Sequence, residues 1–139
     1  MKTFFKMAIT LLLIGAVSPI LAGQGYFVTI KNASDYTVTT SVSDINCMEG
    51  VENLAMILPP VSTSPSIYIE KIRGLCIFDN FFDYTNKFTL HIQKANGETS
   101  DIKYKGRFHT DETSNPNVAH ISNLFKSGDQ YQVEIYVNR

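Results

Sequence analysis

The stretch KFTLHIQKANGETSDIKYK, residues 87–105, decides the fold of this chain. Apolar and polar side chains alternate on both sides of an Asn-Gly dipeptide, with a period of two residues. That period is typical of half-buried β-strands, and Asn-Gly between two such runs is typical of a hairpin turn. We therefore predict two antiparallel strands here and a mainly β protein.

The register of this hairpin can be predicted from side-chain parity. A two-residue turn at Asn-Gly would place Leu90 opposite a lysine on a shared face. A three-residue loop ending at Gly97 instead pairs Phe88 with Tyr104 and Leu90 with Ile102, so that apolar residues meet on one face. Such a loop needs a left-handed residue, which glycine adopts at no steric cost. We predict this register, with Gly97 left-handed.

The same period of two recurs at residues 26–30, 36–42 and 131–137. The turn-like NASD segment, residues 32–35, predicts that the first two of these strands form a hairpin. Residues 54–58 are a short apolar run that fits either a buried strand or one helical turn.

About seven short strands separated by turn signals predict one all-β domain, an antiparallel β-sandwich. We expect it to be immunoglobulin-like in architecture only. The chain has no tryptophan, and its two cysteines lie too close in sequence for the usual bridge between the sheets of that fold.

Residues 1–22 have the features of a secretory signal peptide. Two lysines precede an apolar run that is too short to span a bilayer, and Ala22 offers a small residue at the cleavage position. We therefore expect a secreted or periplasmic protein whose domain comprises residues 23–139. Loss of Lys2 and Lys6 takes the net charge from −1 to about −3, which disfavours nucleic acid as a partner.

Cys47 and Cys76 are the only cysteines, and both lie in the part expected to be exported. In an oxidising compartment two thiols most simply form one disulfide. A metal or redox pair is the alternative, but no C-x-x-C spacing accompanies them. We predict a Cys47–Cys76 disulfide, with neither a metal nor a cofactor.

The segment FDNFFDYTN, residues 78–86, holds four aromatic rings in nine positions. One interpretation is that the rings close an open end of the sandwich, because aromatic side chains bury large areas. The other is an exposed patch that grips a partner. For the second interpretation the predicted binding residues are Phe81, Phe82, Tyr84, Asp79 and Asp83. Oxygen atoms of Asp79, Asn80, Asp83 and Asn86 also suggest calcium, although Asp and Asn are equally common in turns.

Two alternatives to a binding module concern activity. An aromatic loop can enter a lipid surface, although the negative net charge opposes contact with anionic lipids. A small hydrolase can use His109 with Asp111 or Glu112, although no hydrolase motif is present. His91 lies on the polar face of a predicted strand, where a solvated histidine is the usual case.

The function predicted from sequence is therefore a non-catalytic interaction module, with a host-interaction or virulence role as one version of it. A protein partner is favoured, ahead of a membrane surface or a glycan. The absence of tryptophan weakens the glycan version. Asn32-Ala33-Ser34 is a glycosylation sequon, but we favour its interpretation as an ordinary turn. The oligomeric state stays open.

Overall fold

The computed structural model describes residues 25–72, 76, 85–109 and 112–139, and the predicted signal peptide lies outside these ranges. Within these ranges a short 3₁₀ helix, Val51–Leu54, stands among ten strands. The strands are β1 (Gly25–Asn32), β2 (Val38–Asn46), β3 (Met48–Glu49), β4 (Ile57–Leu58), β5 (Ser62–Thr63), β6 (Ile67–Lys71), β7 (Lys87–Lys94), β8 (Thr99–Lys105), β9 (Ala119–Ser127) and β10 (Gln130–Val137).

The strands form two packed sheets, which confirms the predicted all-β sandwich. Sheet A has the order β3-β6-β1-β10-β9, with β5 also paired to β1, and sheet B has the order β4-β2-β7-β8. Neighbouring strands run antiparallel with one exception: β1 and β10 are parallel, from Tyr26 beside Tyr131 to Asn32 beside Val137. The ambiguous run at 54–58 contributes the end of the 3₁₀ helix and strand β4.

The predicted hairpin between the first two strands is wrong. Strand β1 belongs to sheet A and β2 to sheet B, so the NASD segment carries the chain from one sheet to the other. Asn32 holds this corner: its Nδ2 donates to the Tyr36 carbonyl at 2.8 Å and to the Pro59 carbonyl at 2.9 Å. Its Oδ1 accepts from the Ser34 amide at 3.0 Å. The side chain thus supplies the polar partners that a hairpin ladder would have supplied.

The hairpin of β7 and β8 is confirmed with the predicted register. Phe88 pairs with Tyr104 and Leu90 with Ile102. The three-residue loop is closed by a hydrogen bond of 2.9 Å from the Lys94 amide to the Glu98 carbonyl. Gly97 has a φ of 94°, the left-handed conformation expected of it.

The alternating residues of both sheets meet in a single core. It is richest in aromatic rings at one end of the sandwich, where Tyr26, Phe88, Tyr104 and Phe108 pack together. The Phe88 and Tyr104 rings stack at 5.0 Å, and Phe108 meets Tyr104 edge-on at 4.8 Å. Burial raises the pKa of the Tyr104 hydroxyl far above its usual range, and it also raises the pKa of Tyr26.

The predicted disulfide is present. Cys47, between β2 and β3, is bonded to Cys76, with the two Cα atoms 4.9 Å apart and both side chains buried. A disulfide fits a protein of an oxidising compartment. Within the described residues, no helix is long and apolar enough to cross a membrane.

Candidate functional surfaces

The binding residues predicted from sequence, Phe81, Phe82, Tyr84, Asp79 and Asp83, lie outside the described residues. Both flanks of that segment are described. Cys76 is fixed by the disulfide, and Asn86 donates from Nδ2 to the Cys47 carbonyl at 2.6 Å and to the Ile72 carbonyl at 3.2 Å. The amide nitrogen of Asn86 is thus engaged with backbone, whereas the calcium ligand suggested from sequence is its amide oxygen. Among the described residues, no three His, Cys, Asp or Glu side chains come together in a group suited to a metal ion.

The His109 hydrolase alternative finds little support in the described part of its segment. His109 Nε2 accepts a hydrogen bond of 3.1 Å from Arg107 Nε, and Asp111 is outside the described residues. Glu112 is exposed, and its backbone carbonyl accepts from the Lys103 amide at 3.1 Å. No hydrogen bond or ion pair joins His109 to Glu112 in the described structure. Phe108 of the same polar stretch is buried in the core.

The solvent face of sheet A carries aromatic side chains where a sandwich normally presents polar ones. Tyr68 on β6 lies beside Phe27 on β1, which lies beside Gln132 on β10, which in turn lies beside Phe125 on β9. We call Tyr68, Phe27 and Phe125 the aromatic row. The rings of Phe27 and Tyr68 are 5.0 Å apart, and Tyr68 and Phe125 are 39% and 48% exposed. Four adjacent strands therefore present one row that is apolar at three of its four positions.

A shallow cavity of about 140 Å³ lies next to Phe125, lined also by Thr29, Asn123, Gln132 and Glu134. It offers hydrogen-bonding groups beside the exposed ring. Further along the same face, His120 lies 5.6 Å from the ring of Tyr136, and Lys31 Nζ lies 5.9 Å from the centre of that ring. Apolar rings with polar groups at their edge are the usual composition of a protein-binding patch.

The solvent face of sheet B carries a different arrangement, a hydrogen-bonded chain of Ser43, His91 and Asp101. Ser43 Oγ lies 2.6 Å from His91 Nε2, and His91 Nδ1 lies 2.7 Å from Asp101 Oδ1. The three residues come from β2, β7 and β8, which are neighbours in the sheet. The His91 and Asp101 side chains are 40% and 39% exposed, so both can be reached from solvent.

Asp101 determines which group donates in each of these two hydrogen bonds. A carboxylate accepts hydrogen bonds and donates none, so the proton between the two groups belongs to His91 Nδ1. In the neutral imidazole Nε2 is then an acceptor, and the Ser43 hydroxyl donates to it. This is the protonation pattern in which a serine hydroxyl is prepared to lose its proton to a histidine.

A second depression, of about 210 Å³, adjoins this chain on the solvent face of sheet B. Its lining includes Thr89, which pairs with Ser43, and Lys103, which pairs with Thr89. Lys87 and Lys105 add positive charge at its wall, and Asp44 and Glu112 add negative charge. Ser43, His91 and Asp101 are not themselves in the lining, and the depression reaches the serine through Asp44, which follows it, and Thr89, which pairs with it.

Sequence reasoning placed His91 correctly on a polar strand face but missed both of its partners. The Asp101 contact was within reach, because the predicted register of the β7–β8 hairpin already puts His91 opposite Asp101. The Ser43 contact was not, because it depends on the pairing of β2 with β7. No local pattern in the sequence signals that pairing.

The chain matches no protein-family model, and no curated protein is similar to it.

Proposed function

We propose that the chain is a small secreted or periplasmic protein that binds a protein partner through the aromatic row of sheet A. The aromatic row is the observation that carries the proposal. Exposed aromatic side chains clustered on a rigid surface are the residues that most often dominate binding energy at protein interfaces. A sheet fixed by backbone hydrogen bonds presents them with little loss of entropy on binding.

The surroundings of the row favour a protein over a glycan or a lipid surface. Gln132 separates Phe27 from Phe125, and Thr29, Asn123 and Glu134 border the exposed ring of Phe125. This mixture supplies hydrogen bonds at the margin of an apolar contact, as protein interfaces do. A carboxylate beside the rings and a negative net charge oppose contact with anionic lipids.

The disulfide supports the compartment in this proposal. A buried Cys47–Cys76 bond persists where thiols are not kept reduced, as outside the cell or in a periplasm. The signal-like residues 1–22 point to the same compartments. Host interaction or virulence remains one setting for such a protein.

Site-specific photo-crosslinking tests the proposal. A photoreactive phenylalanine analogue replaces Phe125 in one sample and Ile57 in another, in protein exposed to the extracellular or periplasmic fraction of its producing cells. Ile57 is the matched control because it is 70% exposed but lies on β4 of sheet B. We expect one discrete crosslinked protein from position 125 and none from position 57.

Substitution of the row then separates specific binding from general stickiness. Tyr68→Ser should abolish the crosslink from position 125, because it removes a ring at the other end of the row, whereas Val61→Ser should leave it intact. Val61 is also highly exposed but lies outside the row. Equal crosslinking from positions 125 and 57 would contradict the proposal. So would binding to liposomes in flotation that is lost in Phe125→Ser, since the row would then serve a membrane.

A further inference from the structure

We infer that Ser43, His91 and Asp101 form a nucleophilic site that hydrolyses small esters. This inference goes beyond the proposed binding function and is independent of it, because the three residues lie on sheet B and the aromatic row lies on sheet A. It also departs from the sequence-based expectation of a non-catalytic chain, which considered only His109 as a catalytic histidine.

The geometry is that of an activated serine. Both hydrogen bonds are short, 2.6 Å and 2.7 Å, and each uses the nitrogen that the chemistry requires. His91 Nε2 faces the nucleophile and His91 Nδ1 faces the carboxylate, and such an arrangement is recognised by its geometry and not by its order in the sequence.

The backbone next to the serine supports a specific role. The β2–β7 pairing is regular up to Ser43 beside Thr89, and its register then shifts before the next pair, Asn46 beside Lys87. Asp44, the residue after Ser43, has a left-handed φ of 53°. β-Bulges next to functional residues re-aim side chains, and a left-handed aspartate is a strained feature that the surrounding structure must hold in place.

Two serines of β2 lie close to the histidine, and one of them contacts it. Ser41 is directly opposite His91 in the strand register, yet the hydrogen bond to Nε2 comes from Ser43, one position further along the same face. The structure thus supplies two serines next to one histidine, of which only one is bonded to it among the described contacts.

The reaction balances without a cofactor. Ser43 Oγ attacks the ester carbonyl carbon while His91 Nε2 takes the hydroxyl proton, and Asp101 stabilises the resulting imidazolium. The C–O bond to the alcohol then breaks, and His91 returns the proton to the leaving alcohol. Water next attacks the acyl group on Ser43 and passes a proton to His91 Nε2, which gives it to Ser43 Oγ as the acid departs. The net change is ester plus water to acid plus alcohol.

The adjoining depression defines the substrate class. It is open and shallow, which suits a short acyl group or an ester presented at the surface of a larger molecule. Lys103 lies on the solvent face one pairing step beyond Thr89, the partner of Ser43. Lys103 also lines the depression, so a substrate bound there would meet a positively charged side chain.

Covalent labelling with a fluorophosphonate tests the inference, because this probe forms a Ser–O–P bond and releases fluoride only where a serine is activated. We expect the folded protein to be labelled at Ser43, as located by peptide mass spectrometry, and to hydrolyse p-nitrophenyl acetate. Ser43→Ala should abolish both signals. The matched control Ser41→Ala should leave both unchanged, although it removes a hydroxyl from the same face of the same strand.

His91 and Asp101 are tested by the rate of labelling. His91→Gln should lower it by about a hundredfold, within the range for loss of a general base. Asp101 is a positioning residue, so Asp101→Asn should lower the labelling rate by about tenfold or more and Asp101→Glu should restore part of it. All three side chains are partly exposed, so melting temperatures close to that of the wild type are expected and serve as the folding check.

The inference is overturned if folded wild-type protein is labelled no faster than Ser43→Ala, or if Ser41→Ala and Ser43→Ala behave alike. Crosslinking through the aromatic row is measured separately on the other sheet. Failure of one proposal therefore leaves the other standing.

Discussion

At the scale of single residues, Asn32 shows how one side chain can fix the path of the chain. It is only 1% exposed, and its amide donates to carbonyls of two separate segments while its oxygen accepts from Ser34. A glycan on Nδ2 would displace these hydrogen bonds, so in the folded protein the sequon forms the connection between β1 and β2.

Asn32→Ala should lower the free energy of unfolding by about 2–3 kcal/mol, because buried carbonyls lose their partner. Urea denaturation measures this loss. The exposed Asn53→Ala is the control, and an equal loss in both variants would contradict the role of Asn32.

The buried tyrosines predict how stability depends on pH. Tyr26 and Tyr104 have raised pKa values in the folded state, chiefly because burial disfavours the phenolate. In the unfolded chain they lose their protons near pH 10. Their contribution to stability is therefore complete below about pH 10 and is lost as the pH rises further.

In Tyr104→Phe the decline of the unfolding free energy above that pH should be shallower, by up to about 1.4 kcal/mol per pH unit. Chemical denaturation at several alkaline pH values measures the slope. The control variant Tyr36→Phe, at an exposed position, should keep the wild-type slope of unfolding free energy against pH. If Tyr104→Phe also keeps that slope, the predicted contribution of the buried Tyr104 hydroxyl is wrong.

At the scale of elements, the turn of the β7–β8 hairpin depends on one backbone conformation. Gly97 has a φ of 94°, and a Cβ atom added there would meet nothing within 4 Å. Any cost of substitution therefore comes from the left-handed backbone alone. Gly97→Val should destabilise the protein by about 1 kcal/mol or more, and Gly97→Asn by less, since asparagine tolerates that conformation. Thermal denaturation compares the two variants, and a silent valine would disprove the argument.

Two pairs of elements show what the sequence could and could not predict. The β7–β8 register followed from local information, namely the parity of Leu90 and Ile102 around a single glycine. The first two strands alternate just as clearly, yet β1 pairs with β6 and β10 and not with β2. Alternating apolar residues indicate a strand with one buried face, but they do not determine which strand pairs with it. A turn-like segment can join two strands of one sheet or strands of two different sheets. The Ser43–His91 contact was out of reach for the same reason.

At the scale of the whole molecule, the disulfide links Cys47 to a cysteine 29 positions away. Closing a loop of that length stabilises the folded state by about 3–4 kcal/mol in the chain-entropy description. Reduction should therefore lower the melting temperature by several degrees or more. Calorimetry with and without reductant measures the shift. The Cys47→Ser/Cys76→Ser variant should melt near the temperature of the reduced wild-type protein, and reductant should not change its melting temperature. A wild-type melt that reductant does not change would show that the bond adds no stability.

The parallel pairing of β1 and β10 has a consequence for the order in which the protein can assemble. Tyr26 lies beside Tyr131, so the middle of sheet A joins segments that are synthesised far apart in time. Until residues 130–137 have been synthesised, one edge of β1 lacks its hydrogen-bonding partner and the hydrophobic core is uncovered on that side. Contacts between residues far apart in the sequence slow folding, and the incomplete chain is prone to aggregation until they form. Sheet A can therefore be completed only after residues 130–137 have been synthesised, whereas the β2–β7–β8 part of sheet B needs no residue beyond Lys105.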